Sequence, residues 1–134
     1  MIFSLHPQLE KDCFFIEDWP VCRLVLMDDS RFPWFILVPR IMGARELVDL
    51  PEAEQIRVLN EINWLSKAMQ RSLKPHKLNI AALGNMVPQL HIHVIARFEE
   101  DDAWPKPVWS AEGTAIPYGK DKKAELIQQI KQAF

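Results

Sequence analysis

Gln89-Leu90-His91-Ile92-His93-Val94-Ile95-Ala96-Arg97 alternates polar and apolar side chains with period two. On a β-strand that alternation sends Leu90, Ile92, Val94 and Ala96 to one face and Gln89, His91 and His93 to the other. The apolar set can dock on a core. The opposite face then carries an amide and two imidazoles in a row, with ~7 Å between next-but-one side chains. The stretch implies a sheet, and the rest of the chain is read outward from it.

Leu78 to Leu83 forms a second β-prone run just upstream, joined to the first by Gly84-Asn85-Met86-Val87-Pro88. Nearer the N-terminus, Cys13 to Glu17 and Val21 to Met27 are split by Asp18-Trp19-Pro20 and read as a hairpin. The turn Asp28 to Pro33 separates them from a third run, Trp34 to Pro39. Between the two groups of strands a helix is predicted from about Asp49, with Asp49 or Leu50 as cap and Pro51 in the first turn. Glu52 and Glu54 complement the positive end of its dipole. Ile56, Leu59, Ile62, Leu65, Met69 and Leu73 then supply an apolar stripe to pack on the sheet. Phe98 to Tyr118, rich in Pro, Trp and acid, reads as irregular but packed, and residues 122–134 carry Ala124, Ile127, Ile130 and Phe134 at helical spacing. The predicted class is α+β: about five antiparallel strands, covered on one face, with one long helix and a C-terminal helix. No repeat or linker divides residues 1–134, which read as a single domain.

Composition narrows the function. The 134 residues hold 18 acidic and 16 basic side chains, a net charge of −2, with 49% hydrophobic residues and five tryptophans. No cluster of Lys and Arg is dense enough to grip a nucleic-acid backbone, so no nucleic-acid partner is expected. No apolar run approaches the ~20 residues that span a bilayer, and the N-terminus lacks the pattern of a signal peptide. A cytoplasmic protein without a membrane partner follows as the expectation. Cys13 and Cys22 fit reduced thiols there; their spacing is not CxxC, and no second Cys/His pair argues for zinc.

The polar face carries the chemistry. A neutral imidazole is among the few side chains able to attack phosphorus near pH 7, forming a phosphoramidate and splitting one hard displacement into two easier ones. A second imidazole or an amide beside it can bind oxygens on which charge builds. Two plainer readings stand next to this one. His91 and His93 can be polar residues on a solvated strand, or part of a metal-binding module, for which the local sequence offers no third ligand.

The stretch resembles the signature of the histidine triad (HIT) family, in which three histidines alternate with apolar residues on one strand. Gly84-Asn85-Met86-Val87-Pro88 sits where that family has a glycine followed by Gln-Ser or Gln-Thr. Asn79 falls near a family Asn or Gln. Met27-Asp28-Asp29-Ser30 leading to Phe35-Ile36-Leu37-Val38-Pro39 resembles its strand, acid- or amide-bearing turn and strand ending in proline. Arg97 follows the triad as in the dinucleoside polyphosphate hydrolase branch. The likeness spans roughly residues 14–98.

The resemblance implies a nucleotide substrate, a homodimer, no obligatory metal or other cofactor, and residue roles. His91, as the middle histidine, would attack the α-phosphorus, its Nδ1 hydrogen held by the backbone carbonyl of residue 89. His93 would bind phosphate oxygens and help manage the leaving group's proton. Asp28, with Asp29 as alternative, would hold the ribose, while Asn79, Asn85 and Arg97 would contact substrate. Two residues depart from the pattern: Gln89 replaces the first histidine, and Met86 stands where a hydroxyl is usual. A thioether cannot donate that hydrogen bond. Since residue 89 acts through its carbonyl, Gln89→His is expected to retain or raise activity.

Overall fold

The computed structural model describes residues 2–134. Five strands, β1 (Cys13–Asp18), β2 (Cys22–Met27), β3 (Trp34–Pro39), β4 (Lys77–Ala81) and β5 (Ile92–Arg97), form one antiparallel sheet in the order β1-β2-β3-β5-β4. Three helices accompany it: α1 (Pro7–Asp12), α2 (Glu52–Leu73) and α3 (Lys120–Gln132). This is the α+β arrangement predicted, with α1 added. Sequence periodicity passes over a six-residue helix. Here Pro7 occupies its first turn and the His6 ring caps it, Nδ1 accepting from the Gln8 N–H at 3.1 Å.

The long crossover through α2 delivers the chain to the sheet edge as β4, and β5 then returns between β4 and β3. Pairing of β5 begins at Ile92, later than predicted. Leu90 bonds instead through its N–H to the Ala44 carbonyl, 3.0 Å away in the loop after β3. Gln89 and His91 therefore lie on an extended approach to the strand, anchored to a loop that β3 does not pair.

The alternation of β5 holds. Leu90, Ile92, Val94 and Ala96 join the core beneath α2 and α3. The expectation of a single covered face does not hold: Ile95 packs in a second core with Phe32, Trp34, Ile36, Val108 and Leu9. Strand β3 shows why. Trp34-Phe35-Ile36-Leu37-Val38 is apolar without a break, and all six β3 residues are buried, the pattern of a strand covered on both sides. Residues 98–111 and α1 supply the second cover.

Helix α2 also differs in its phase. Its buried face is Val58, Glu61, Ile62, Leu65, Ala68 and Met69, while Ile56 and Leu59, placed on the stripe by spacing, are 57% and 54% exposed. The inward turn of Glu61 accounts for the rotation, because its carboxylate accepts the Val21 and Cys22 N–H groups of the β1–β2 hairpin at 2.9 and 2.8 Å. Asp49 is not the helix cap. It closes a 3-10 turn at Leu47–Asp49, its Oδ2 accepting the Arg45 and Glu46 N–H groups at 3.0 and 2.9 Å. Among the described residues no helix is long and apolar enough to cross a membrane.

Candidate active site

His91 and His93 are 5% and 3% exposed, with ring centroids 4.8 Å apart at a steep angle. His91 Nδ1 lies 2.7 Å from the Gln89 carbonyl oxygen. A carbonyl only accepts, so the ring hydrogen is on Nδ1 and the Nε2 lone pair is free. Nε2 has no partner among the described residues and is not sealed off, since Ser72 Oγ is the one buried side-chain N or O atom without a partner. His91 lines a cavity of about 80 Å³ with Gly84, Asn85, Gln89 and Arg45. Burial lowers the His91 pKa below its ordinary value, against the opposing effect of the Gln89 carbonyl, and the nearby charge of His6 lowers it further. The result is a neutral imidazole with one exposed lone pair beside a space of phosphate size.

Gly84 makes the close approach to that ring. A Cβ at this position would meet His91 Cε1 at 2.8 Å and the Val87 carbonyl at 2.7 Å. Only glycine leaves the His91 imidazole where it is.

His93 is held differently. The Trp34 indole N–H, a donor only, reaches Nδ1 at 2.9 Å, while Nε2 lies 2.8 Å from the Leu83 carbonyl. The hydrogen is therefore on Nε2 and both nitrogens are committed. Trp109 stands edge-on to the same ring at 4.9 Å and to Trp34 at 5.5 Å. Burial pushes the His93 pKa down to about 4, outweighing the Leu83 carbonyl, with the charge of His91 acting in the same downward direction. A ring so committed has no N–H directed at the His91 cavity, while the resemblance gives His93 the binding of phosphate oxygens.

The other predicted residues divide. Asn85 is exposed on the His91 cavity. Gln89 contributes its carbonyl to His91, but its side chain turns to the N-terminal arm, Oε1 accepting the His6 N–H at 2.8 Å and Nε2 donating to the Ser4 carbonyl at 3.0 Å. The side-chain amide thus ties the N-terminal arm to the approach to β5, two bonds that Gln89→His would alter. Arg97 is fully buried, donating to Asp101 twice, to Asn79 Oδ1 and to the Lys106 carbonyl. Burial would raise the Asp101 carboxyl, but Arg97 and the Phe98, Ala103 and Trp104 N–H groups hold it at about 2. Arg97 and Asn79 thus anchor the 98–111 cover, and neither reaches the His91 cavity. Asp28 accepts the Tyr118 N–H at 2.8 Å, and Asp29 pairs with Arg31 at 2.8 Å. The ribose role implied for Asp28 thus meets a carboxylate already tied to the segment before α3.

Three residues escaped the sequence reading: Arg45, His6 and the partner role of Trp34. Arg45 lies far from the triad in sequence, and its guanidinium has no bonding partner among the described residues although its backbone is fixed by Asp49. The only local signal was a cation in a turn.

A model of the HIT domain matches residues 8–100. The chain belongs to the HIT family. Its members bind nucleotides and in general act on them as hydrolases or transferases. A histidine triad protein from Bradyrhizobium japonicum is 39% identical and superposes with a TM-score of 0.96 over 99% of this chain and 98% of that one. One from Marinobacter aquaeolei is 41% identical, with a TM-score of 0.95 over 99% and 96%. A hypothetical histidine triad nucleotide-binding protein from Sulfolobus tokodaii, 14% identical, shares the fold with a TM-score of 0.69 over 94% and 86%. No protein of curated function matches.

Proposed function

We propose that this HIT protein is a nucleotide hydrolase or nucleotidyl transferase that cleaves a phosphoanhydride or phosphoramidate, such as a dinucleoside polyphosphate, through a covalent nucleotidyl-histidine on His91. One observation carries the reading: a buried, neutral imidazole whose Nδ1–H is pinned at 2.7 Å, whose Nε2 has no partner among the described residues, and which lines a small cavity with Arg45 and Asn85. The Nε2 lone pair forms the N–P bond as the bond from phosphorus to the leaving oxygen or nitrogen breaks; the departing atom takes that pair, and a departing nitrogen also takes a proton from solvent and leaves as the neutral amine. Positive charge arising on the ring is spread toward the Gln89 carbonyl through Nδ1–H, while Arg45 and Asn85 face the phosphate oxygens. Water then attacks phosphorus, the N–P pair returns to Nε2, and the water's proton leaves to solvent. His93 positions the nucleophile. The reading includes a cytoplasmic homodimer, for which the exposed Trp64, Ile56 and Leu59 on α2 offer apolar surface.

Met86, 92% exposed and without a hydroxyl, favours a second reading: a nucleotide-binding protein of this fold with little turnover. A His-x-His metal module is disfavoured by the commitment of both His93 nitrogens. Intact-mass measurement after incubation with a dinucleoside polyphosphate decides. A nucleotidyl adduct absent from His91→Ala is expected; binding with neither adduct nor hydrolysis would leave the second reading in possession.

A further inference from the structure

A second cavity, about 380 Å³, adjoins the His91 cavity. Leu5, His6 and Pro7 of the N-terminal arm form one side, and Met42 and Ala44 of the loop after β3 form the other. Arg45, Pro88 and Gln89 line both cavities, so Arg45, whose guanidinium has no partner among the described residues, borders both. The arm is seated by the Gln89 amide, which grips His6 N–H and the Ser4 carbonyl together, and the Ser4 N–H reaches Met42 Sδ at 3.5 Å. Because His6 Nδ1 accepts from Gln8 N–H, the His6 ring hydrogen is on Nε2, a donor.

We infer that this second cavity is the leaving-group subsite, built for a flat aromatic or other apolar group joined to phosphorus through oxygen or nitrogen. The inference rests on the nucleotidyl-histidine reading above. Size separates the two spaces. The first suits one tetrahedral phosphate, while the second falls in the range of roughly 300–1,000 Å³ usual for small-molecule sites. Lining separates them too: Leu5, Pro7, Met42, Ala44 and Pro88 give an open, mostly apolar cleft, and His6 and Arg45 supply the few polar groups to orient a ligand. In-line displacement places entering and leaving atoms on opposite sides of phosphorus, and His91 is absent from the second lining. His6 donates a hydrogen bond to the leaving atom without transferring its proton, since its other nitrogen stays occupied by Gln8. The replacement of the first triad histidine by Gln89 then has a purpose: the amide holds the wall of this subsite.

Two substrates sharing one nucleoside test the inference, the p-nitrophenyl ester of AMP and adenosine 5′-phosphoramidate, which releases ammonia. Met42→Trp narrows the second cavity. The ratio of kcat/KM for the aryl ester to that for the phosphoramidate should fall at least tenfold. An unchanged ratio, with both substrates losing equally, would place the nucleoside there instead and overturn the inference. A second measurement is independent of turnover. In the His91→Ala protein, calorimetry should show phenyl phosphate binding weakened tenfold by Met42→Trp, with the affinity for inorganic phosphate changed far less. Equal weakening, or phenyl phosphate bound no better than phosphate before the substitution, would sink the subsite. Should the parent protein turn over neither substrate, the proposed reaction fails while the binding result still decides the cavity.

Discussion

His91 and His93 sit two residues apart on one face of the same segment, both nearly inaccessible and both kept neutral by burial, yet their ring nitrogens are spent differently. His91 gives one nitrogen to a carbonyl and keeps the other open; His93 gives both away. Identical chemistry at adjacent positions becomes a nucleophile in one case and a strut in the other. What decides is the neighbour on each nitrogen, and the side chain itself leaves the matter open.

The largest effect comes from deleting the open nitrogen. His91→Ala should lower nucleotidyl transfer by at least ~10⁴-fold and abolish the adduct, because the covalent route then has no nucleophile. The pH profile sharpens the same point. With its folded pKa below 6.5, the His91 limb of kcat/KM should have its midpoint below pH 6.5 and be level well before pH 8. A rate that keeps rising between pH 7 and 9 would assign the limb to another group.

Acid tests the strut through stability. His93 has a pKa near 6.5 when unfolded and about 4 when folded. Its contribution is present in full above pH 6.5 and is lost as pH falls toward 4, since the unfolded chain takes up the proton first. About 3 kcal/mol should disappear over that window, read from urea midpoints at a series of pH values. His91 adds in the same direction. A stability flat from pH 7 to 4.5 would mean that neither ring is held neutral.

Gly84→Ala crowds the open ring and the Val87 carbonyl and leaves His93 untouched. A methyl group 2.8 Å from His91 Cε1 must displace the imidazole or the loop. A shift near 1 Å can cost ~10²-fold in rate, so kcat should fall between tenfold and a hundredfold while the urea midpoint changes little. An unchanged kcat would show that the loop yields instead of the ring.

The alternation from Gln89 to Ala96 was enough to place both histidines on the face opposite Leu90 and Ile92, and five strands with a long helix followed from runs and breaks. Local spacing could not reveal that this face would be roofed, because the roof comes from Leu9 of α1 and from Ala103 and Val108, none of them part of a strand. The phase of α2 differs from its spacing for a related reason: Glu61 has the character of a surface residue until the hairpin that needs its carboxylate folds against it. Arg97 shows the reverse case. A cation after the motif suggested phosphate, but Asp101, four residues on, claims it inside the protein.

Trp34→Phe makes the finest cut between the two rings. The substitution keeps an aromatic group on β3 but leaves His93 Nδ1 without its donor, and an unmet buried acceptor costs about 1–3 kcal/mol. That figure should apply at pH 7, where the ring is neutral. The indole N–H bonds only to an unprotonated Nδ1, so its loss also lets the folded-state pKa of His93 climb back toward the unfolded value. Less stability is then surrendered on acidification, and the gap between the parent protein and Trp34→Phe should narrow from pH 7 to pH 5. A gap of constant size would show that the indole contributes packing only. The formation of the His91 adduct should survive in this variant at a reduced rate, because Nδ1–H stays on the Gln89 carbonyl and Nε2 stays open. Loss of the adduct comparable to His91→Ala would dissolve the distinction between nucleophile and strut.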